Sequence, residues 1–233
     1  QKKEVIPMEI IKSGIKGLDK LLGGGIPKGS VITVSGPTGS GKSTFGMNFL
    51  IGGAEQGEAG LYIPIESTKE EVIDQMKEFS WNIEFFEKNK KLFFLDYPPH
   101  EVDQFISKMN PVKELVETMG IERAVIDSIM PIALQFDTDL ERKRGFMRFV
   151  ENIKKWNTTT LIISEDTPGT MHDVLPSTKY GIETLTDGWI HIHYVWHEGK
   201  RERAIEIIKM KGIRHEMKMC FMDITKNGIA IRS

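Results

Sequence analysis

Cysteine, long apolar runs and an excess of positive charge are all missing from this sequence. Its only cysteine is Cys220. A single thiol excludes an intrachain disulfide framework, and it also excludes a zinc cluster built from CxxC pairs. No segment approaches the roughly 18 consecutive apolar residues of a membrane span, and the opening QKKEVIPMEI lacks the apolar core of a signal peptide. These absences predict a soluble, cytoplasmic protein, and a chain that opens on Gln1 rather than Met is expected to have been trimmed.

The balance of charge bears on nucleic acid as a partner. The chain has 31 Lys plus Arg against 33 Asp plus Glu, which gives a formal net charge of −2. A protein that coats nucleic acid usually carries a clear basic excess, so this composition disfavours that class. A hydrophobic fraction of 39% in 233 residues is ordinary for a single globular α/β domain.

Short β-branched or aromatic runs alternate with longer, charged amphipathic stretches through most of the chain. The runs predict buried strands, at 31–35, 61–65, 91–96, 123–127 and 158–164. The stretches between them predict helices, at 43–56, 68–79, 101–119 and 141–156. Pro111 is expected to open the second part of the third helical stretch, because its missing N–H costs least in a first turn. This alternation predicts βαβ crossovers and a twisted, mainly parallel central sheet flanked by helices.

The C-terminal part has a different pattern. From residue 188 onward, apolar runs are separated by the turn-like segments HEGKRE and KGIRHEMK. This pattern predicts antiparallel hairpins added to one edge of the sheet. We therefore expect one domain over 1–233, with a Gly-rich opening segment at 14–30, a core at 31–187 and closing β-hairpins at 188–233.

Residues 36–44 read GPTGSGKST and match the P-loop pattern G-x-x-x-x-G-K-[ST]. A predicted strand precedes the motif and an amphipathic helix follows it, which argues against a Gly-rich turn that matches by chance. Glycines let successive backbone N–H groups curl around a polyphosphate, and the helix directs its positive end at the anion. We expect Lys42 to reach the β- and γ-phosphates. The predicted nucleotide-binding residues of this loop are Gly36, Thr38, Gly39, Ser40, Gly41, Lys42, Ser43 and Thr44.

A P-loop needs a second oxygen ligand for Mg²⁺ beside the Ser43 hydroxyl. Asp127 follows the apolar run of the predicted strand at 123–127 and stands at its carboxyl end, where open α/β sheets bind ligands. An Asp in this place is also a common helix cap. The presence of the P-loop favours the magnesium role.

Hydrolysis also requires a group that orients or deprotonates water. Glu66 follows the predicted strand at 61–65, one βα unit after the P-loop, and so reaches the same rim of the sheet. The alternative is that Glu66 caps the helix predicted at 68–79, in competition with Ser67 and Thr68. The residues alone leave these two roles equally open.

With the P-loop, Glu66 and Asp127 in this order, the sequence resembles the RecA superfamily, and within it the KaiC- and RadA-type ATPases, especially single-domain KaiC-like proteins of archaea. The resemblance covers nearly the whole chain. It is carried by GIKGLDKLLGGGIPKGS, LYIPIES, EFSWNIE, RAVIDSI and TLTDGWIHIHYVWHEGKRERAIEIIKMKGIRH. It implies a RecA-like P-loop NTPase fold, ATP and Mg²⁺ as ligands, and Glu66 as the catalytic glutamate. Many KaiC domains have two adjacent glutamates here, whereas this sequence has Ser67 second, which puts the rate of hydrolysis in question.

The resemblance also implies a site completed by a second subunit. Lys209 and Lys211 in KMKG fall where the family reaches the γ-phosphate of a neighbouring subunit, although the residues alone favour a solvated strand end. Four further positions match those that line the adenine and ribose across the interface: Met210, His215, Thr225 and Lys226. Lysines that act in trans imply a homo-oligomer, either a hexameric ring or a filament.

Three functions fit this sequence. The first is a ring-forming regulatory or signalling ATPase that binds ATP and ADP and acts on an unknown protein partner. The second is a recombinase-like ATPase that binds single-stranded DNA. Five acidic residues oppose the second function, because the connection 165–187 where DNA is expected contains only Lys179 against Glu165, Asp166, Asp173, Glu183 and Asp187. The third is a KaiC-like autokinase modified at Thr184, a position that more often serves as a strand or turn residue.

Two other groups of side chains have plainer interpretations. His191, His193 and His197 resemble a metal cluster, but the first two alternate on one strand face with no carboxylate at ligand spacing, so we expect strand surface or sheet packing instead. The methionines at 76, 109 and 147 occur at helical spacing and are predicted to fill gaps in the core.

Overall fold

The computed structural model describes residues 8–97, 105–106, 109–166 and 176–232. Eleven strands are named in this part of the chain: β1 Ile10–Ile11, β2 Ile26–Pro27, β3 Val31–Gly36, β4 Ala59–Pro64, β5 Leu92–Phe94, β6 Ile121–Asp127, β7 Thr159–Glu165, β8 Gly188–His197, β9 Lys200–Met210, β10 Cys220–Thr225 and β11 Gly228–Ile231. The helices are α1 Leu18–Leu21, α2 Lys42–Glu55, α3 Lys69–Gln75, α4 Ile83–Lys88, α5 Met109–Met119, α6 Met130–Ala133 and α7 Asp139–Lys154.

Nine of the strands form one mixed sheet in the order β11-β10-β9-β8-β3-β7-β6-β4-β5. The strands from β8 through β3 and β7 to β5 pair in parallel, as βαβ crossovers require. The pairs β8–β9, β9–β10 and β10–β11 are antiparallel. The predicted parallel core with antiparallel strands on one edge is therefore confirmed.

The sheet is covered on both faces, which explains why its central strands are apolar along their whole length. One apolar cluster joins the sheet to α1, α2, α3 and α4. The other joins it to α5, α6 and α7. The strand β3 lies near the middle of the sheet, so the loop that follows it is held by elements on both sides.

Two helical predictions need correction in their bounds. The helix predicted at 68–79 ends at Gln75, because the chain turns at Met76 and the Ser80 N–H then donates to the Lys226 carbonyl at 2.7 Å. The stretch 101–119 contains α5 from Met109, with Pro111 in its first turn as predicted. Residues 101–104 and 107–108 of that prediction lie outside the described residues.

The predicted methionine core is wrong at one position. Met76 and Met109 are buried, but Met147 is 49% exposed. Met147 lies on the outer side of α7. The opposite side of the helix faces the sheet and is filled by Phe146, Phe149 and Val150. Spacing along an amphipathic helix does not reveal how wide its buried stripe is.

Arg123 anchors the opening segment to the core. Its side chain is fully buried on β6, and its Nε lies 2.5 Å from Glu58 Oε2. The guanidinium also donates to three carbonyls, those of Lys12, Ser13 and Phe49. A buried arginine with this many partners fixes the chain that leads into the first core strands. Within the described residues, no helix combines the length and the apolarity needed to cross a bilayer.

Candidate active site

The P-loop connects the end of β3 to the start of α2. Gly41 is the N-cap of α2 with φ 104°, a value that favours glycine, and a Cβ there would lie 2.7 Å from Ile224 Cδ1. No side chain caps this helix end. The N–H groups of its first turn therefore remain available to an anion, and the helix dipole adds to the attraction.

Side chains of the closing hairpin β8–β9 hydrogen-bond to the backbone of the P-loop. The Tyr194 hydroxyl donates to the Gly39 carbonyl at 2.6 Å, and Arg203 Nη2 donates to the same oxygen at 3.1 Å. A Cβ at Gly36 would lie 2.5 Å from the Ile192 carbonyl oxygen, so only glycine permits this approach. The loop shape is thus supported by residues far away in the sequence.

Lys42 extends its ammonium group along the loop. Its Nζ donates to the carbonyls of Gly36 at 2.9 Å and Pro37 at 3.1 Å. Burial lowers the pKa of Lys42, while the carboxylates of Asp127 and Glu165 oppose that shift. The ammonium is partly desolvated and surrounded by negative charge, as expected of a group that binds phosphate.

Ser43 and Asp127 lie together, as the magnesium prediction requires. Their side chains are hydrogen-bonded to each other. Asp127 Oδ2 also accepts a hydrogen bond from the Tyr62 hydroxyl at 2.5 Å. Burial raises the pKa of Asp127, and the bonds from Ser43 and Tyr62 oppose the shift. A hydroxyl and a carboxylate are both oxygen ligands of the kind that Mg²⁺ prefers, so this pair fits a magnesium ion.

Glu66 lies on the same rim of the sheet. The structure tests one of its two predicted roles, that of helix cap. The N-cap of α3 is Thr68, whose hydroxyl accepts from the Glu71 N–H at 3.2 Å in a capping box. The capping role of Glu66 is therefore wrong. Its carboxylate instead accepts a hydrogen bond from the Ser128 hydroxyl. Burial and the nearby Asp127 carboxylate raise the pKa of Glu66, a property expected of a proton acceptor.

A cavity of about 360 Å³ opens over the loop. It is lined by Gly39, Gly41, Lys42, Ser43, Thr44, Gln75, Arg203 and Ile224. Gln75, Arg203 and Ile224 were missed by the sequence analysis. No local motif marks them, because they reach the cavity from α3, β9 and β10, and only the order of strands in the sheet brings them together.

Two of the predicted adenine and ribose contacts lie beside this chain's own P-loop. Thr225 ends β10 directly after Ile224, which lines the cavity, and Lys226 follows in the turn to β11. The Thr225 hydroxyl is engaged in that turn, where it donates to the Gly228 carbonyl at 2.9 Å. Thr225 and Lys226 thus stand at the end of the sheet that carries their own loop, and their role at a nucleotide shared across an interface stays a prediction.

Lys209 and Lys211 lie at the opposite end of the sheet. Their neighbour Met210 pairs with Gly188, which pairs with Ile32 at the start of β3, whereas the P-loop begins at Gly36. Four residues of strand separate the two levels by roughly 13 Å. Lys209 Nζ donates to the Glu183 carbonyl at 2.6 Å, and Lys211 Nζ lies 3.3 Å from Asp187 Oδ1. Neither ammonium is directed to its own P-loop.

Met210 and His215 belong to this same opposite end of the sheet. The Met210 side chain is buried in the core against Gly188, so it offers little surface to a ligand in this conformation. His215 lies on the connection between β9 and β10, which contacts the opening segment through the Glu216 N–H and the Leu21 carbonyl at 2.8 Å. Their predicted nucleotide contacts stay predictions.

Of the histidines on β8, His191 and His193 pack within the sheet, whereas His197 lies exposed at the end of the strand. His191 is buried, and its Nδ1 lies 2.7 Å from Ser35 Oγ; burial lowers the pKa of His191 to about 3. His193 Nε2 lies 3.0 Å from Glu206 Oε2. No group of three or more potential ligands among the described side chains could hold a metal ion by itself.

The connection 165–187 divides its charges between the two ends of the sheet. Glu165 is the last residue of β7 and pairs with Gly36 at the P-loop, whereas Asp187 bonds to Val31 at the start of β3. Residues 167–175, including Asp173, lie outside the described residues. Thr184 is exposed near Asp187, with its hydroxyl donating to the Gly181 carbonyl at 2.9 Å. Its own P-loop lies at the other end of the sheet, and the phosphorylation of Thr184 stays a prediction.

Comparison with known proteins agrees with this geometry. The protein family described as "ATPase: KaiC" matches residues 11–233. The chain belongs to this family. A KaiC-like protein from Pyrococcus horikoshii OT3, known from a crystal structure, is 31% identical, with a TM-score of 0.85 over 97% of this chain and 100% of that one. The RecA-like fold and the KaiC-like resemblance are thereby confirmed.

The relatives of the KaiC family differ in length. A UPF0273 protein of Thermotoga maritima is 28% identical over 236 residues, and the match covers 95% of each chain. The circadian clock oscillator protein KaiC of Parathermosynechococcus lividus is 29% identical over 229 residues. The chain spans 42% of the length of that KaiC, so it corresponds to less than half of the clock protein.

Proposed function

We propose that this KaiC-family chain is a single ATPase domain that binds ATP with Mg²⁺ at its P-loop and hydrolyses it. The observation that carries the proposal is the convergence of Lys42, Ser43, Asp127 and Glu66 at the carboxyl end of the central sheet. They come from three separate segments of the chain. Lys42 is the cation, Ser43 and Asp127 are hydrogen-bonded to each other as a pair of oxygen ligands, and Glu66 is the proton acceptor.

Each group has a distinct part in hydrolysis. Lys42 and the first-turn N–H groups of α2 hold the phosphates, and Lys42 stabilises the charge that develops on the γ-phosphoryl group. Ser43 and Asp127 would hold Mg²⁺, which neutralises charge on the β- and γ-oxygens when bound. Glu66 accepts a proton from a water that attacks the γ-phosphorus, while the bond from that phosphorus to the bridging oxygen breaks and ADP leaves.

We further propose that Lys209 and Lys211 complete the site of a neighbouring copy. Support comes from their position: they are lysines at the end of the sheet that does not carry the P-loop, so they can reach a γ-phosphate only in trans. Burial lowers the pKa of Lys209, with Lys211 adding to the shift, as expected for ammonium groups that lack full solvation. The working unit is then a closed ring, a hexamer by analogy with the family, whose nucleotide state acts on a protein partner.

A mixing experiment tests the shared site. Lys42→Ala removes the phosphate contact of one copy, and Lys211→Ala removes the trans contact of another. We expect each variant alone to be nearly inactive in an ATPase assay and an equimolar mixture to recover a fraction of the wild-type rate. Lys155→Ala, which removes an exposed lysine that follows α7 and donates to Asn152 Oδ1 at 3.0 Å, is the matched control and should remain active. Activity that is independent of both mixing and protein concentration would contradict the shared site.

A further inference from the structure

A buried histidine lies beside the last strand residues before the P-loop. His191 on β8 pairs in register with Ser35, the residue before Gly36. The Ser35 hydroxyl oxygen lies 2.7 Å from His191 Nδ1, and it accepts a hydrogen bond from Trp189 Nε1 at 2.7 Å. Ser35 and His191 are both buried. Polar groups at this depth must keep their partners, because an unpaired one would cost free energy.

The proton of this histidine can be assigned from its surroundings. Burial lowers the pKa of His191 to about 3, so the ring is neutral near neutral pH and has a single N–H group. Its Nε2 lies 3.6 Å from Asp166 Oδ2, and a carboxylate favours the proton on the nitrogen that faces it. Nδ1 is then the acceptor for the Ser35 hydroxyl. The ring therefore connects the end of β3 to the residue that directly follows β7, with a different nitrogen for each.

The contacts beyond Asp166 lead to Lys209 at the other end of the sheet. Asp166 forms an antiparallel bridge with Thr178. The Thr178 hydroxyl donates to the Glu183 carboxylate, and the Glu183 carbonyl accepts from Lys209 Nζ at 2.6 Å. Thr178 and Glu183 are buried. A series of buried polar contacts thus joins the end of the sheet that carries the P-loop to the Lys209 ammonium.

We propose that His191 is a positioning residue, which sets the place of Lys209 relative to the P-loop through these contacts. The inference rests on the proposed function, because Lys209 bears on hydrolysis only if it completes a neighbouring site. The Nε2–H of His191 attracts the Asp166 carboxylate, and Asp166 fixes where the connection 176–187 joins the sheet. Glu183 on that connection then holds the Lys209 ammonium. A displacement of about 1 Å in such a group can cost about 10²-fold in rate, even when its cause lies far from the reacting atoms.

Two substitutions at His191 separate the functions of its two nitrogens. His191→Asn keeps an oxygen that can accept from Ser35, but its short side chain does not extend to Asp166. His191→Gln extends an amide N–H toward Asp166. His193→Gln is the matched control, because His193 lies on the same strand and bonds to Glu206 instead. For each protein we measure kcat for ATP hydrolysis, the affinity for a fluorescent ATP analogue and the free energy of unfolding in urea.

We expect His191→Asn to lower kcat by about tenfold and His191→Gln to keep kcat within about threefold of wild type. The affinity for the ATP analogue should stay near wild type in both, and the His193→Gln control should keep its kcat. The contact with Asp166 then accounts for the loss, since the longer amide restores it. Equal losses of kcat in His191→Asn and His191→Gln, or losses that simply follow the free energy of unfolding, would overturn the positioning role in favour of packing.

A double substitution tests the far end of these contacts. If His191 acts through Lys209, then His191→Asn introduced into Lys209→Ala should lower kcat by less than a further factor of about two, because the group that it positions is gone. A further loss of about tenfold would overturn the inference and leave the ATPase proposal intact. Unchanged kcat in Lys209→Ala alone would instead contradict the shared site of the proposed function.

Discussion

The two ends of the central sheet differ in how far each is complete within one chain. At the carboxyl end of β3, Lys42 is matched by Asp127 and Glu66, and the P-loop backbone is braced by Tyr194 and Arg203. At the amino end, Lys154 and Lys211 pair with the Asp187 carboxylate, and Lys209 donates to the backbone carbonyl of Glu183. The first end therefore contains the cavity over the P-loop, whereas the second end presents a group of lysines.

The same strand joins the two ends. Val31 opens β3, and its N–H donates to Asp187 Oδ2 at 3.2 Å, while Gly36 closes β3 and opens the P-loop. The strand β3 thereby connects the P-loop to Asp187, the carboxylate that pairs with Lys211 of the proposed shared site. A fold that places complementary halves at opposite ends of one strand favours head-to-tail assembly, which closes into a ring when the rotation between copies permits.

The largest effect is expected at the complete end. Glu66→Gln keeps the size of the side chain but removes the proton acceptor, so kcat for ATP hydrolysis should fall by about 10²- to 10⁴-fold. The affinity for ATP should change little, because Lys42 and the loop backbone hold the phosphates. Steady-state hydrolysis together with equilibrium binding of a fluorescent ATP analogue checks both parts. Glu70→Gln on the exposed side of α3 is the control, and an equal loss in both variants would remove Glu66 from its proposed role.

The next effect concerns the end that we expect to work in trans. Lys211→Ala should lower kcat by about 10²-fold, comparable to the loss of one preorganised donor to a developing charge. Lys211→Arg keeps the cation in a different shape and should recover all but about tenfold of that loss. Binding of nucleotide to the dilute protein should be the same in all three proteins, since the residue is remote from its own P-loop. A loss of binding in Lys211→Ala would break the distinction between the two ends.

The sequence alone was sufficient to predict the parts of the site that depend on the local order of strand, loop and helix. A strand, a glycine loop and a helix follow each other at 31–56, so the P-loop could be placed from the sequence alone. Asp127 could be placed because parallel strands present their carboxyl ends on one rim. The same rule explains why the nine-stranded sheet was predicted in outline without its strand order.

The remaining contacts depend on long-range register, which no local pattern encodes. Arg203 reaches Gly39 because β9 pairs with β8, and β8 pairs with β3. Thr225 and Lys209 are both polar residues near the carboxyl ends of their strands. Because β9 and β10 are antiparallel, the two residues lie at opposite ends of the sheet.

A third prediction uses pH to identify the proton acceptor. The pKa of Glu66 lies above its ordinary value of 4.5 because of burial and the neighbouring carboxylates. Only the ionised form accepts a proton, so kcat/KM should fall about tenfold per pH unit as the pH drops below this raised pKa. Profiles of kcat/KM are measured for the wild type and Glu66→Gln. The acidic limb should vanish in the variant, and a limb of unchanged position in Glu66→Gln would assign it to another group.

The smallest effect is expected for Asp187→Asn, which separates stability from nucleotide binding. Burial acts to raise the pKa of Asp187, but bonds from Lys154, the Val31 N–H and Lys211 outweigh it and leave the pKa lowered. A lowered folded-state pKa contributes stability above the ordinary value of 3.8 that is lost as the pH falls through the folded pKa. The variant should therefore unfold in urea with a free energy lower by about 1 kcal/mol at neutral pH, and the difference should shrink as the pH falls below 3.8.

Asp74→Asn is the control for that measurement, because its ion pair with Lys77 is exposed on both sides and is expected to contribute only about 0.5 kcal/mol or less. The affinity of Asp187→Asn for a fluorescent ATP analogue should equal that of the wild type, since the strand β3 lies between Asp187 and the P-loop. A weaker affinity at unchanged stability would show that β3 transmits a local change from one end of the sheet to the other. The two ends would then be coupled within a single copy, and assembly would not be needed to connect them.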